Sequence, residues 1–343
     1  MLKAKMTIAT LIMFTFLSAC ALEESTSDGA NGDEDEGTDA GELTDIQFYV
    51  PSEEGDLISV IDVVSGEHVA DIETGQSPTL VTFSSTMRDA FVANQDSSTI
   101  EILDTQALEV ETEVEVGPRP HGLALSSNNE MLYVATAGDQ YLDVVDVNEQ
   151  EVSAQYDLGN GARTNYVHLE GEEVYVSDHE NDQLYVLNAE TGELQSSYDT
   201  GGTPRVVRKY DDKLYVASSE EGTLEVIDLE NDEKEVIDVG RGATDVVVNE
   251  DGNQAIVTSV EESFVGLVDL TTGEVTERIE DQEGAKHLSF NREESRVYVT
   301  LSDSNEVSVI DVDSFQEEYR IEVGGEQPHG IEMKALPGIG GSC

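Results

Sequence analysis

A Tyr-Val pair, or a close substitute, returns along this chain at a nearly constant interval. It occurs at Tyr49-Val50, Phe91-Val92, Tyr133-Val134, Tyr175-Val176, Tyr215-Val216, Ile256-Val257 and Tyr298-Val299, with spacings of 42, 42, 42, 40, 41 and 42 residues. A second landmark keeps step with it, an acid or amide at Asp62, Asp104, Asp146, Asn188, Asp228, Asp269 and Asp311. Between the landmarks lie short β-branched runs bounded by Gly, Asn and acidic residues, which read as strands in a meander. A strand-only repeat near 42 residues is too long for leucine-rich repeats and wrong in type for helical ones. It fits the blades of a β-propeller, and seven copies predict seven blades.

Each repeat has a fourth apolar stretch, entered through a Gly-rich turn that often carries Pro. The copies read GQSPTLVTF, GPRPHGLAL, GNGARTNYVHL, GGTPRVV, GRGATDVVV and EGAKHLSF. No such copy precedes Tyr49, yet an orphan one follows the last repeat at Gly325–Met333. The missing strand of the first blade is therefore expected from the C-terminus, with Ile331–Lys334 beside Phe48–Pro51. Closing the ring in this way removes two open sheet edges. The expected fold is all-β, a seven-bladed propeller of four-stranded blades over residues 45–334, with 335–343 a flexible tail.

Ahead of the repeats, Lys3 and Lys5 precede an apolar run, Met6 to Leu17, too short to span a bilayer. Leu17-Ser18-Ala19-Cys20 follows and resembles the lipobox of bacterial lipoproteins. That resemblance implies a signal peptide over 1–19, a lipidated Cys20 and attachment to the outer face of the cell membrane. With Cys20 acylated, Cys343 stands alone and no disulfide framework is expected. Residues 20–44 are polar and acidic and read as a disordered tether; a flexible coil of that length averages roughly 27 Å end to end.

Charge restricts the partners. Against 74 acidic residues stand 17 basic ones, a formal net charge of −57. Such a surface repels phosphate backbones and anionic lipid headgroups, so no nucleic-acid partner is expected, and the membrane is met through the lipid anchor only. The excess resembles that of proteins from saline habitats, where about 1 M salt shortens the screening length to about 3 Å.

Tyr-Val-Ala, Tyr-Val-Thr and Phe-Val-Ala-Asn, followed by a Val-Ile-Asp strand and a Val-Gly-x-x-Pro turn, resemble the YVTN-repeat, YncE-like seven-bladed propellers. The resemblance covers about residues 45–334 and implies the fold without implying a function, because function on such a scaffold lies in sites the repeats do not determine.

Short catalytic and metal motifs are absent from the sequence, including the nucleophile elbow, the metalloprotease helix motif, the phosphate loop and the calcium loop. Candidate residues come instead from the turns. By alignment, the position after each Gly-rich turn reads Thr79, His121, Asn165, Arg205, Thr244, Lys286 and His329, and Tyr166, Asp245 and His287 lie one residue further on. Seven such turns converge on the propeller axis, so these side chains are expected to line one mouth of the channel. They differ from blade to blade, as asymmetric recognition requires.

Basic residues occur in five of the turns, at Arg119, Arg163, Arg205, Arg241 and Lys286. They either attract an anion or neutralise neighbours such as Asp245, Glu283 and Glu326. His121, His287 and His329 could ligate zinc, as in some periplasmic zinc chaperones with a propeller fold. Alternatively, the identical Pro-His-Gly copies at His121 and His329 serve the turn, and two histidines spread round a ring need not meet. The repeated Asp landmark is expected to accept backbone N–H bonds, and Asp178-His179-Glu180 to be a solvated loop tip. The expected role is a monomeric scaffold that binds a small ligand or partner protein at the mouth, without a cofactor. The alternatives are a zinc-binding or chaperone protein and a lyase- or hydrolase-type enzyme.

Overall fold

A computed structural model describes residues 46–335. The expected signal peptide, Cys20 and tether, and the expected tail, lie outside the described residues. The seven repeats form seven antiparallel sheets, six of them with four strands consecutive in sequence. The first blade takes Ile46–Glu54, Leu57–Asp62 and Glu67–Glu73 from the N-terminal side and completes itself from the C-terminal side. Blades two to seven follow in sequence order, with innermost strands Pro78–Phe83, Pro120–Leu125, Thr164–Glu170, Pro204–Tyr210, Ala243–Val248 and Ala285–Phe290.

Burial follows strand order within a blade. The Tyr-Val strand and the next are buried almost continuously, as in Asp89–Asn94 and Thr99–Asp104, because a neighbouring blade packs on each face. The outermost strands alternate or lie exposed, as in Glu151–Asp157. Seven apolar clusters fill the seven gaps between blades. Tyr215, Leu224 and Val226 of blade five, for example, pack on Val246, Val257 and Val268 of blade six.

At the seam, Phe48, Val50 and Ile61 of blade one meet Tyr298, Val307 and Val309 of blade seven, with Ile331 against them. The closing strand comes in two pieces. Glu326–Pro328 pairs with Ser52 and Glu54, while Glu332–Ala335 pairs with Ile46–Tyr49 in the register Phe48↔Met333. Ring closure from the C-terminus is as expected, but the pairing is offset from the expected segments and runs to Ala335. Ile331 lies in the interruption and turns into the blade-one/blade-seven core. A similar irregularity occurs in every other innermost strand that follows this pattern, for example between Pro78 and Val81 and between Pro120 and Leu123.

The repeated landmark serves the turns. Asp104 accepts the N–H groups of Gln106 and Ala107 at 2.6 and 2.9 Å, and Asp228 those of Glu230 and Asn231 at 2.9 Å each. Asp62, Asp146, Asn188, Asp269 and Asp311 do the same in their own blades. These bonds hold the Asp104 and Asp228 carboxyls below the usual aspartate range.

Asp178 departs from expectation. It is fully buried and accepts N–H groups from Arg163, Glu180 and Asn181, so the Asp178-His179-Glu180 tip is anchored rather than freely solvated.

Candidate functional site

The irregularity in each innermost strand decides which residues face the axis. In blades two to seven two residues are looped out of the ladder after the first paired position, the second of them Leu80, Gly122, Tyr166, Val206, Asp245 or His287, and in blade one His329, Gly330 and Ile331 lie in the gap. The first residue of each gap gives the set Thr79, His121, Asn165, Arg205, Thr244, Lys286 and His329. The glycines of the two Pro-His-Gly copies have a steric reason. A Cβ on Gly122 would lie 2.7 Å from the Tyr166 Cα, and one on Gly330 would lie 2.7 Å from the Thr79 carbonyl oxygen. Neighbouring innermost strands approach too closely there for any side chain.

His121, Asn165, Arg205, Thr244, Lys286, His287 and His329 line a cavity of about 260 Å³ at the turn end of the channel. Ser219, Val260 and Glu261 complete its wall. Thr79 is fully buried behind it, with its hydroxyl on the Ala93 and His121 carbonyls. Small Thr79 stands between His121 and His329 in the ring, and these two rings meet with their Nε2 atoms 3.0 Å apart. The expectation that they need not meet is thus corrected. His287 also packs on His329, with ring centroids 4.9 Å apart.

The hydrogen-bond order of this cluster follows from its fixed end. His121 Nδ1 faces the Asn165 carbonyl at 3.0 Å and must donate to it, so His121 Nε2 carries a lone pair toward His329. Burial pushes His121 well below the usual imidazole value, and the nearby Arg205 guanidinium adds to the shift. His329 is lowered to about 3 by burial and by the Lys286 ammonium, against the opposing pull of Glu53. Both imidazoles are therefore neutral near pH 7.

Lys286 Nζ donates to Glu53 Oε1 at 2.8 Å and reaches His329 Nδ1 at 3.3 Å, and Glu53 also contacts His329. Burial alone would raise the Glu53 carboxyl, but His329 and Lys286 outweigh it and hold the group ionised.

The turn cations thus divide. Lys286 is neutralised by Glu53, a residue outside the expected set of partners, and Arg241 pairs with Glu261 at 3.6 Å. Arg119 donates to Gln95, and Arg163 to the Ala162 carbonyl. Arg205 lines the cavity with its Nε on the Ser219 hydroxyl at 3.3 Å.

Deeper along the channel, Asp245 is fully buried and accepts His287 Nδ1 at 2.9 Å, the Val246 N–H at 2.7 Å and Arg208 Nη2 at 3.3 Å. Burial works to raise its carboxyl, but Arg208 and His287 prevail and keep it low. The Arg208 guanidinium lies 5.4 Å from the Tyr166 ring centre. Among the described residues, no group of three or more His, Cys, Asp or Glu side chains is arranged to hold a metal ion.

Sequence reasoning missed Glu53, Arg208 and Glu261. Glu53 sits in an acidic pair resembling a turn tip, but its strand runs nine residues, long enough to carry it to the mouth.

A ring of seven four-stranded blades with a C-terminal closing strand and a varied axial cavity defines a β-propeller whose repeats serve the fold and whose axis carries the individuality. The chain belongs to the YNCE-like beta-propeller family, which matches residues 44–335. No curated protein matches it. Among solved structures, it is similar to the periplasmic gluconolactonase PpgL of Pseudomonas aeruginosa, at 18% identity and a TM-score of 0.70, covering 85% of this chain and 99% of that one. It is also similar to a functionally unknown protein of Desulfotomaculum acetoxidans, at 13% identity and a TM-score of 0.70, covering 84% and 98%. A third similar structure is the dihydro-heme d1 dehydrogenase NirN, at 18% identity and a TM-score of 0.65, covering 86% and 76%. At these identities the likeness is one of fold.

Proposed function

We propose that this protein is a monomeric, lipid-anchored, extracytoplasmic binding propeller that takes a small anionic ligand at the turn-end mouth. The observation that carries the reading is Arg205, which faces a 260 Å³ cavity whose other lining residues are almost all polar and differ from blade to blade. Asn165, Thr244 and Ser219 add neutral donors around it, and Lys286 brings an ammonium already balanced by Glu53. The acidic exterior repels anions elsewhere, so a guanidinium set in a concave wall focuses them at the mouth.

The test is calorimetric titration with acetate, lactate, citrate, sulfate and inorganic phosphate. At least one should bind the wild type, and Arg205→Glu should weaken it by tenfold or more while the melting temperature stays within a few degrees. If none binds, or if the variant binds equally well, the reading fails. Zinc titration is run alongside. The His121–His329 pair supplies two neutral nitrogens, and stoichiometric zinc binding lost in His121→Ala would favour the zinc-binding alternative.

A hydrolase reading is favoured by one specific contact, Asp245 on His287 Nδ1 at 2.9 Å. That arrangement holds the imidazole with Nε2 free to accept a proton from water. Turnover of a simple lactone by the wild type, absent in His287→Gln, would support it.

A further inference from the structure

Beyond the histidine cluster lies a second chamber of about 210 Å³ that shares only His287 with the mouth. Leucines line it from blades two to four at Leu80, Leu125 and Leu169, and its polar side chains, Tyr166, His168, Arg208, Asp245 and His287, come from blades four to seven. Glu332, in the closing strand, also lines it.

Hydrogen-bond supply on the polar wall is unbalanced. Asp245, the fixed acceptor, is filled by His287, Val246 and Arg208. Arg208 uses Nη2 on Asp245, and its Nε is buried with no hydrogen-bond partner. A guanidinium has five N–H donors, so Arg208 keeps donors that Asp245 does not use, Nε among them. A buried donor without a partner costs free energy that a bound acceptor would recover.

We propose that this chamber is a second binding site, for a small monocarboxylate with a short hydrocarbon body. Its carboxylate lies at Arg208, and its apolar end lies against Leu80 and Leu125. The site is distinct from the mouth and rests on different residues.

Glu332 gives the site a proton dependence. Burial pushes its carboxyl up to about 7, with Asp245 adding to the rise and Arg208 opposing it. Tyr166, His168, Arg208, Asp245 and His287 share the chamber with it. Burial lowers His168 to about 4 and raises Tyr166 to about 12. Leu80 and Thr82 on the adjoining innermost strand carry no charge. Below pH 7 Glu332 is neutral and can donate to the ligand; above it, its carboxylate repels the ligand. Between pH 6 and pH 8 the neutral fraction falls about tenfold.

The experiment titrates the full chain with butyrate, n-butylamine and n-butanol at pH 6 and pH 8. Butyrate should bind at pH 6 and about tenfold more weakly at pH 8, and butylamine should not bind. Arg208→Gln should lose butyrate binding, and Arg205→Glu should keep it, which separates this chamber from the mouth. Glu332→Gln, which preserves shape, should bind butyrate equally at both pH values, and so tests the proposal even if Arg208→Gln fails to fold. The proposal is overturned if the wild type does not bind butyrate at pH 6 or prefers butylamine. It is equally overturned if folded Arg208→Gln binds butyrate undiminished, or if Glu332→Gln keeps the wild-type pH dependence.

Discussion

Two rings of polar residues run round this propeller, and they follow opposite rules. The outer ring, Asp62 through Asp311, repeats one residue type with a single exception, Asn188, and each member caps its own turn with backbone bonds. The inner ring, Thr79 through His329, holds five residue types in seven positions, and its members reach across blades. His121 meets His329 from two blades away, and Lys286 meets Glu53 across the seam. A residue needed seven times for the same local reason is kept seven times. A residue that contributes to one asymmetric surface is free to differ.

The largest effect separating the two rings comes from the seam, on which both depend. A chain ending after Gly324 lacks Glu326–Pro328 and Glu332–Ala335, leaving Ile46–Glu54 as an open edge and Phe48, Tyr298 and Val309 without their cover. It should aggregate or melt far below the intact protein, whereas deleting 336–343 should leave the melting temperature unchanged. Equal melting of the Gly324-terminated chain and the full chain would refute the closure.

Next in size is the removal of one acid from the axis. Asp245→Ala leaves Arg208 and His287 facing each other without their anion, and breaking a buried pair in this way costs about 3–5 kcal/mol. The same substitution in the outer ring, Asp269→Ala, removes two exposed N–H bonds and should cost about 1 kcal/mol. Denaturant unfolding measures both, and equal losses would erase the distinction between the rings.

Salt acts on the whole chain. With a formal net charge of −57, raising potassium chloride from dilute buffer to 1 M should raise the melting temperature by several degrees, most steeply at the low end. A flat response would mean that the charges are compensated locally, as Lys286 and Arg241 already are.

Much of the outer ring and the fold was legible because repetition multiplies a weak signal: two landmarks in step across seven copies fix blade number, strand order and closure. The inner ring was legible as a set of positions, since alignment to the turns placed six of the seven residues at the cavity and left only Thr79 buried behind it. Its contacts were not. The irregularity in each innermost strand leaves no mark in the sequence, so the seam register and the turn of Ile331 into the core escaped prediction. The His121–His329 contact depends on the small Thr79 between them, a matter of ring geometry. Glu53 reaches the channel because its strand is nine residues long, and strand ends are the least readable part of any pattern. Arg208 lies inside its strand, just past the irregularity that sets which side chains face the axis.

We propose that the repeated ring holds the fold while the varied ring holds the ligand. The most direct measurement compares Arg205→Glu and Asp269→Ala in the same two assays, thermal melting and calorimetric titration with the small anion the wild type binds. Arg205→Glu should keep its melting temperature within a few degrees and lose binding by tenfold or more, while Asp269→Ala should melt lower and bind as before. A folded Arg205→Glu protein that still binds the anion, or an Asp269→Ala protein that loses binding while remaining folded, would contradict it.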